Sequence, residues 1–190
     1  MKKPDTYFAR LNCDDIVIRV IVVAEEDCIA PKAWWDPLGF VTGKRSEQVG
    51  ISFCQNLVYS DHPYSVWKEV DKHSRGVCSK GFRGNFPSTG YIYLKGVRTL
   101  GVASTDIFID RQPFPSWSIG INTAHWYPPY ERPELTQFEN DKMMEYFWDE
   151  ESYTLNKNNG WVLLSPKEKE LYWTKKVEEQ REYISKLSRW

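Results

Sequence analysis

A Trp-bearing hairpin is written twice in the second half of this chain. Ser116-Trp117-Ser118-Ile119 and Ala124-His125-Trp126-Tyr127 flank Gly120-Ile121-Asn122-Thr123, and Pro128-Pro129 stops the second strand. Tyr146-Phe147-Trp148 and Gly160-Trp161-Val162-Leu163-Leu164 then flank a polar segment rich in Asp, Glu and Asn. The two hairpins, 116–128 and 146–164, read as divergent copies of one small unit. A two-stranded ribbon cannot bury its own face in water, so each copy must lie against a sheet or against another polypeptide. Nine Trp and eleven Tyr in 190 residues make the same demand, because such rings suit half-buried sheet faces and interfaces.

The other elements are consistent with a mainly β body of antiparallel hairpins over residues 1–164, a compact sheet or sandwich-like fold with one or two short helices, followed by a C-terminal helix over 165–190. Tyr7–Leu11 and Ile16–Val23 flank the turn Asn12-Cys13-Asp14-Asp15; the second strand is long and apolar and is expected inside a sheet. Glu25-Glu26-Asp27 reads as a solvated turn. Ser46 is placed to cap a short helix whose Val49, Phe53 and Leu57 recur every fourth residue, although Gly50 interrupts it. Tyr64–Val70 reads as a strand with Trp67 and Glu69 on one face, and Pro133–Met144 as a short helix through Leu135 and Phe138. Ser165-Pro166-Lys167-Glu168 is a capping box with Pro at the first helical position. The helix that follows carries a narrow apolar stripe, Trp173, Val177, Ile184 and Leu187, with Gln180 in the gap and charged residues over the rest. It packs on its own sheet or docks on another subunit.

Charge and cysteine usage exclude several classes. Twenty-five basic residues against 26 acidic ones give a net charge of -1, which argues against a protein that coats nucleic acid. The longest apolar run, Val20–Ala24, is far short of the ~20 residues a membrane helix needs. The N-terminal stretch lacks a continuous signal-peptide core, so synthesis in a cytoplasm is expected. Cys13, Cys28, Cys54 and Cys78 include no close pair and read as buried free thiols. Residues 68–98 carry a local excess of five positive charges interleaved with Phe82, Phe86, Tyr91 and Tyr93, the composition of a single-strand groove. Residues 99–165 carry ten acids against four basic groups, enough to neutralise that excess within the molecule or between copies. Gly81-Phe82-Arg83-Gly84-Asn85 lacks the Lys-Ser/Thr pair of a phosphate loop and reads as a turn. His62, His73 and His125 lack a metal-ligating neighbour, and Asp106 and Asp110 fall on a strand. No catalytic, cofactor or metal site is expected.

Four motifs stand in order along the chain: Arg83-Gly84-Asn85-Phe86-Pro87-Ser88-Thr89-Gly90-Tyr91-Ile92-Tyr93, Pro113-Phe114-Pro115-Ser116-Trp117-Ser118-Ile119, His125-Trp126-Tyr127-Pro128-Pro129 and Trp148-Asp149-Glu150-Glu151. With the strand at Ile16–Asp27 and the segment Gly50–Leu57, this order resembles that of small proteins encoded by marine and cyanobacterial tailed bacteriophages. The resemblance implies a β-rich, virion-associated structural protein without an assigned enzymatic activity, and supplies no catalytic residues. The segments Pro133–Glu145 and Ser165–Trp190 depart from the pattern and leave the place in the particle open among capsid surface, neck and tail. The expected partners are other virion proteins in a multi-copy assembly, the expected location the virion after synthesis in the host cytoplasm. The expected contact residues are Trp117, Trp126, Trp148 and Trp161, with Trp173, Val177, Ile184 and Leu187 of the helix. Core packing is the competing role for the indoles, and exposed Trp would mark an interface. The alternative is an intracellular binding protein acting on a host or defence factor, contacting nucleic acid through Arg75, Lys80 and Arg83.

Overall fold

A computed structural model describes residues 5–34, 43–58, 65–75, 82–99, 102–120 and 122–187. The described residues form nine short strands in small antiparallel sheets and four α-helices, the last of them long and C-terminal, so the chain is mixed α and β. The chain clusters into two compact units, one of Met1–Arg111 with Gly120–His125 and one of Gln112–Ile119 with Trp126–Arg189. The hairpin 146–164 and the helix that follows it fall in the second of these units.

In the first unit, β1 (Thr6–Leu11) and β2 (Val17–Val23) pair antiparallel from Thr6↔Val23 to Leu11↔Val17. Their turn is set by Asn12, whose Oδ1 accepts from the amides of Asp14 and Ile16, while Asp15 takes φ 58°. A 3-10 turn, Glu25–Cys28, follows, then α1 (Glu47–Val58), whose Ser46 Oγ accepts from the Gln48 amide. Strand β3 (Val66–Val70) pairs with the other edge of β1, giving the order β2-β1-β3. The long apolar β2 is thus an edge and β1 the centre, the reverse of the expectation. Only Val17 and Val23 of β2 are buried, and its first residue is covered by loop backbone: Val17 N–H donates to Tyr91 O and Gly90 N–H to Val17 O, each at 2.7 Å.

Both faces of β1 are covered, which is why it is buried almost throughout. Phe8 packs with Val23, Cys28, Cys54 and Trp67 on the α1 side. Ala9 and Leu11 pack on the other side with Tyr93 and Phe108, from the pair β4 (Ile92–Thr99) and β5 (Val102–Ile109). Helix α1 reaches the sheet through the buried Gly50 and Cys54, with Ile51 and Phe53 packed partly buried against the same cluster; of the stripe read from Val49, Phe53 and Leu57, Phe53 packs there and Leu57 is exposed. A β-carbon on Gly50 would lie 2.9 Å from Cys28 Sγ and closer still to the Phe8 ring. The glycine that weakens the helix on propensity is what lets it approach. Arg83 and Gly84 turn with φ 63° and 73° and lay the Arg83 carbonyl on the Phe108 amide at 3.0 Å, so this segment is a turn added to the edge of β5.

The first Trp hairpin is β6 (Ser118–Gly120) with β7 (His125–Tyr127), joined by a turn in which Ala124 N–H donates to Gly120 O and Ala124 takes φ 55°. In the second unit, α2 (Gln137–Asp141) is a five-residue helix with a Thr136/Glu139 capping box, shorter than expected because Leu135 lies outside it and Phe138 faces solvent. The second Trp hairpin is β8 (Glu145–Trp148) with β9 (Trp161–Leu164), in register from Glu145↔Leu164 to Trp148↔Trp161. Its polar segment folds as α3 (Glu150–Leu155), capped by the Asp149 carboxylate on the amides of Glu151 and Ser152. Helix α4 (Pro166–Leu187) begins at the expected box: Ser165 N–H and Oγ–H both donate to Glu168 Oε2, at 2.9 and 2.6 Å.

Candidate interaction surface

Helix α4 meets its own unit with a mixed polar and aromatic side. Tyr172 stacks tilted on Phe147 at 4.6 Å, Lys176 Nζ lies 5.3 Å from the Phe114 ring centroid, and Lys169 pairs with Glu145. Burial pushes the Tyr172 hydroxyl above the ordinary tyrosine range. The apolar stripe read from sequence lies to one side of these contacts. Trp173 touches Phe147 only edge-on, at 5.9 Å, and is 51% exposed; Val177 is 47% and Ile184 38% exposed. Leu187 is buried, so it leaves the set of candidate contacts. Met143, exposed at positive φ after α2, lies beside Trp173 and Val177 in an open groove of about 670 Å³, with Glu170, Glu178 and Arg181 among its walls. Met143 enlarges the patch, and belongs to no period in the sequence that would single it out.

The hairpin indoles do something else. Trp148 is 3% exposed, and Trp117 and Trp161 are half-buried against it with ring centroids 6.1 and 5.3 Å away. Tyr130 and Tyr153 close the cluster at 5.4 and 5.0 Å from Trp148. Trp148 Nε1 donates to Glu150 Oε2, which also accepts from Ser116 Oγ, and Trp161 Nε1 donates to the Tyr130 carbonyl. A β-carbon on Gly160 would lie 2.5 Å from the Trp148 ring. These observations correct the expectation for Trp148, which is core rather than contact: the ribbon buries its face on its own indoles. Trp126 is half-buried.

The basic segment is similarly committed. Arg83 clamps Glu47 with two hydrogen bonds, 2.7 and 2.9 Å, and donates to the Glu69 carbonyl at 2.7 Å. Arg45 pairs with Glu69, whose amide donates to Glu47 Oε1. Burial pushes the Glu47 carboxyl up, but Arg83 and the Glu69 amide outweigh it and hold the group below the ordinary carboxylate range. Asp106 accepts from Tyr93 Oη and the Gly96 amide; burial again opposes ionisation, and these two bonds outweigh it. The same bond adds to burial in pushing the Tyr93 hydroxyl up. Arg75 is exposed, and Lys80 lies outside the described residues. Arg83 is thus a half-buried cation engaged by Glu47 and the Glu69 carbonyl.

His73 lines a concavity of about 340 Å³ with Asp71 and Glu69, its backbone amide bonded to Asp71 Oδ1 at 2.8 Å. Glu69 there is already answered by Arg45. His125 is exposed, and His62 lies outside the described residues. Among the described residues no three His, Cys, Asp or Glu side chains are grouped to hold a metal ion, and no helix is long and apolar enough to cross a membrane. Comparison of the chain with protein-family models, curated proteins and solved structures finds no match.

Proposed function

We propose that this chain is a non-enzymatic structural or accessory protein of a tailed-phage particle, present in several copies and held there by protein–protein contacts. The observation that carries the reading is the exposed stripe of α4: Trp173, Val177 and Ile184 lie outward on a helix whose other side is already seated on its unit. Exposing three large apolar groups in a row costs solubility unless something covers them. The ordered motifs from Arg83 to Glu151 support the phage setting. The alternative, nucleic-acid binding through Arg75, Lys80 and Arg83, has less support because Arg83 is engaged by Glu47 and by the Glu69 carbonyl.

Mass spectrometry of purified particles and of the lysate from which they come tests the reading. The expected result is enrichment of the chain in particles, in stoichiometric ratio to other virion proteins. Its presence in the lysate and absence from particles would refute the assignment.

A further inference from the structure

We infer that β2 is the seam of a homodimer: β2 of one copy pairs antiparallel with β2 of a second, joining the two sheets edge to edge as β3-β1-β2-β2-β1-β3. The inference concerns the first unit and does not depend on the α4 face. The sheet β2-β1-β3 has two edges, and the chain finishes them differently. On β3, side chains take the outward groups of Glu69: its amide donates to Glu47 Oε1 at 2.9 Å, and its carbonyl accepts from Arg83 at 2.7 Å. That edge is closed at Glu69 without a further strand. On β2, the loop at Gly90 and Tyr91 bonds Val17 and goes no further. Beyond Val17 the edge is open, and Val22 on it is 58% exposed.

The register follows from which backbone groups are free. Because Glu69 turns its amide and carbonyl away from β1, its partner Phe8 turns its own toward β2; the Phe8↔Ile21 pair is then hydrogen-bonded, and Val20 and Val22 point their groups outward. No described residue bonds the backbone of Val20 or Val22 on that side. A dyad through Ile21 sets Val20 of each copy opposite Val22 of the other, and every one of these outward groups finds a partner. A dyad at Val20 would drive Val23 into the place beside Val17 that Gly90 and Tyr91 already fill. One at Val22 would set Val20 against Ala24, which lies past the end of the strand as the N-cap of the 3-10 turn. With the dyad at Ile21, the open slot from Arg19 to Val23 receives the same stretch of the second copy and nothing beyond its turn.

The side chains agree with this register. Val20 and Val22 stand on the face that Ala9 and Leu11 share with Tyr93 and Phe108, and Ile21 stands on the face of Phe8. Val20 and Ile21 are only partly covered in the single chain, and the seam lays Val20 on Val22 and Ile21 on Ile21. Arg19 is the one charge on β2; it is exposed, and no described side chain pairs it. The dyad keeps the two Arg19 at opposite ends of the seam, each opposite Val23 and two residues short of the acidic Glu25-Glu26-Asp27 of the other copy.

Sedimentation equilibrium and NMR amide exchange of the full chain up to about 0.5 mM test the seam, since a contact of one strand pair associates in the micromolar range or weaker. The expected result is a monomer–dimer equilibrium in which the Val20 and Val22 amides gain protection with concentration, while the Ile21 amide, bonded to Phe8 within the chain, is protected throughout. Val22→Pro removes an N–H that no bond inside the chain uses, and Val22→Lys places a charge in the seam. Each should weaken the dimer at least ~10-fold, with circular dichroism matching the parent. A chain monomeric throughout, a dimer whose Val20 and Val22 amides exchange as fast as in the monomer, or a dimer indifferent to both variants would each overturn the pairing. A monomeric chain found in particles would overturn this inference alone, and a dimer absent from particles would overturn the proposed function alone.

Discussion

At Gly50 the absence of a side chain is a packing requirement. Alanine there should gain about 1 kcal/mol of helix propensity, yet its methyl group would press into Phe8 and Cys28, two members of the core on the α1 side. Overpacking of this kind outweighs the gain, so Gly50→Ala should destabilise the protein by about 1–3 kcal/mol in urea denaturation, whereas an ordinary mid-helix Gly→Ala would stabilise it. The cysteines divide by the same geometry. Cys13 is exposed in the β1–β2 turn, against the expectation of a buried thiol, while Cys28 and Cys54 are fully buried and Cys78 lies outside the described residues. Burial, reinforced by Cys28, pushes the Cys54 thiol up to about 12, and burial also raises that of Cys28. Maleimide labelling read by peptide mass spectrometry should therefore modify Cys13 in the native protein and reach Cys28 and Cys54 only after denaturant is added.

Elements whose cause is local were legible in the sequence; those decided by a distant neighbour were not. The Asn12 turn, the Ser46 cap and the Ser165/Glu168 box each need only residues within a few positions, and each forms as read. Ser165→Ala should accordingly lower helicity at 222 nm and the melting temperature, with Ser165→Asp retaining most of both. The buried face of α1 was legible only in part: Phe53 packs on the core as its period implies, but the buried Gly50 and Cys54 are small, and periodicity weighs large apolar groups. The central position of β1 was missed because burial on two faces requires β3 and the β4–β5 pair, which pair or pack with it from more than 50 residues away. Of the α4 stripe the residues were legible, but not their exposure. That depends on Phe147 and Phe114 taking Tyr172 and Lys176 as the inward side.

For the molecule as a whole, the ion pairs give stability a pH dependence of definite sign. Glu47 and Asp106 are held below the ordinary carboxylate range of about 4 in the folded chain. Their contribution is fully present above that range and is lost as pH falls through the depressed folded values. Melting temperatures should fall between pH 5 and pH 3, and Glu47→Gln, costing about 1–2 kcal/mol at pH 7, should make that fall shallower. Simultaneous replacement of Arg75, Lys80 and Arg83 should lower the melting temperature by itself, through loss of the Arg83 clamp. Any loss of nucleic-acid shift in that variant must be compared with Arg75 and Lys80 replaced alone. The three packed indoles of the second unit have an optical consequence. Transitions of chromophores this close couple, so Trp117, Trp148 and Trp161 should produce a strong paired band in the ultraviolet circular dichroism. That band is a native reporter, needing no label, on whether the Trp148 ribbon stays closed while the rest of the chain is perturbed.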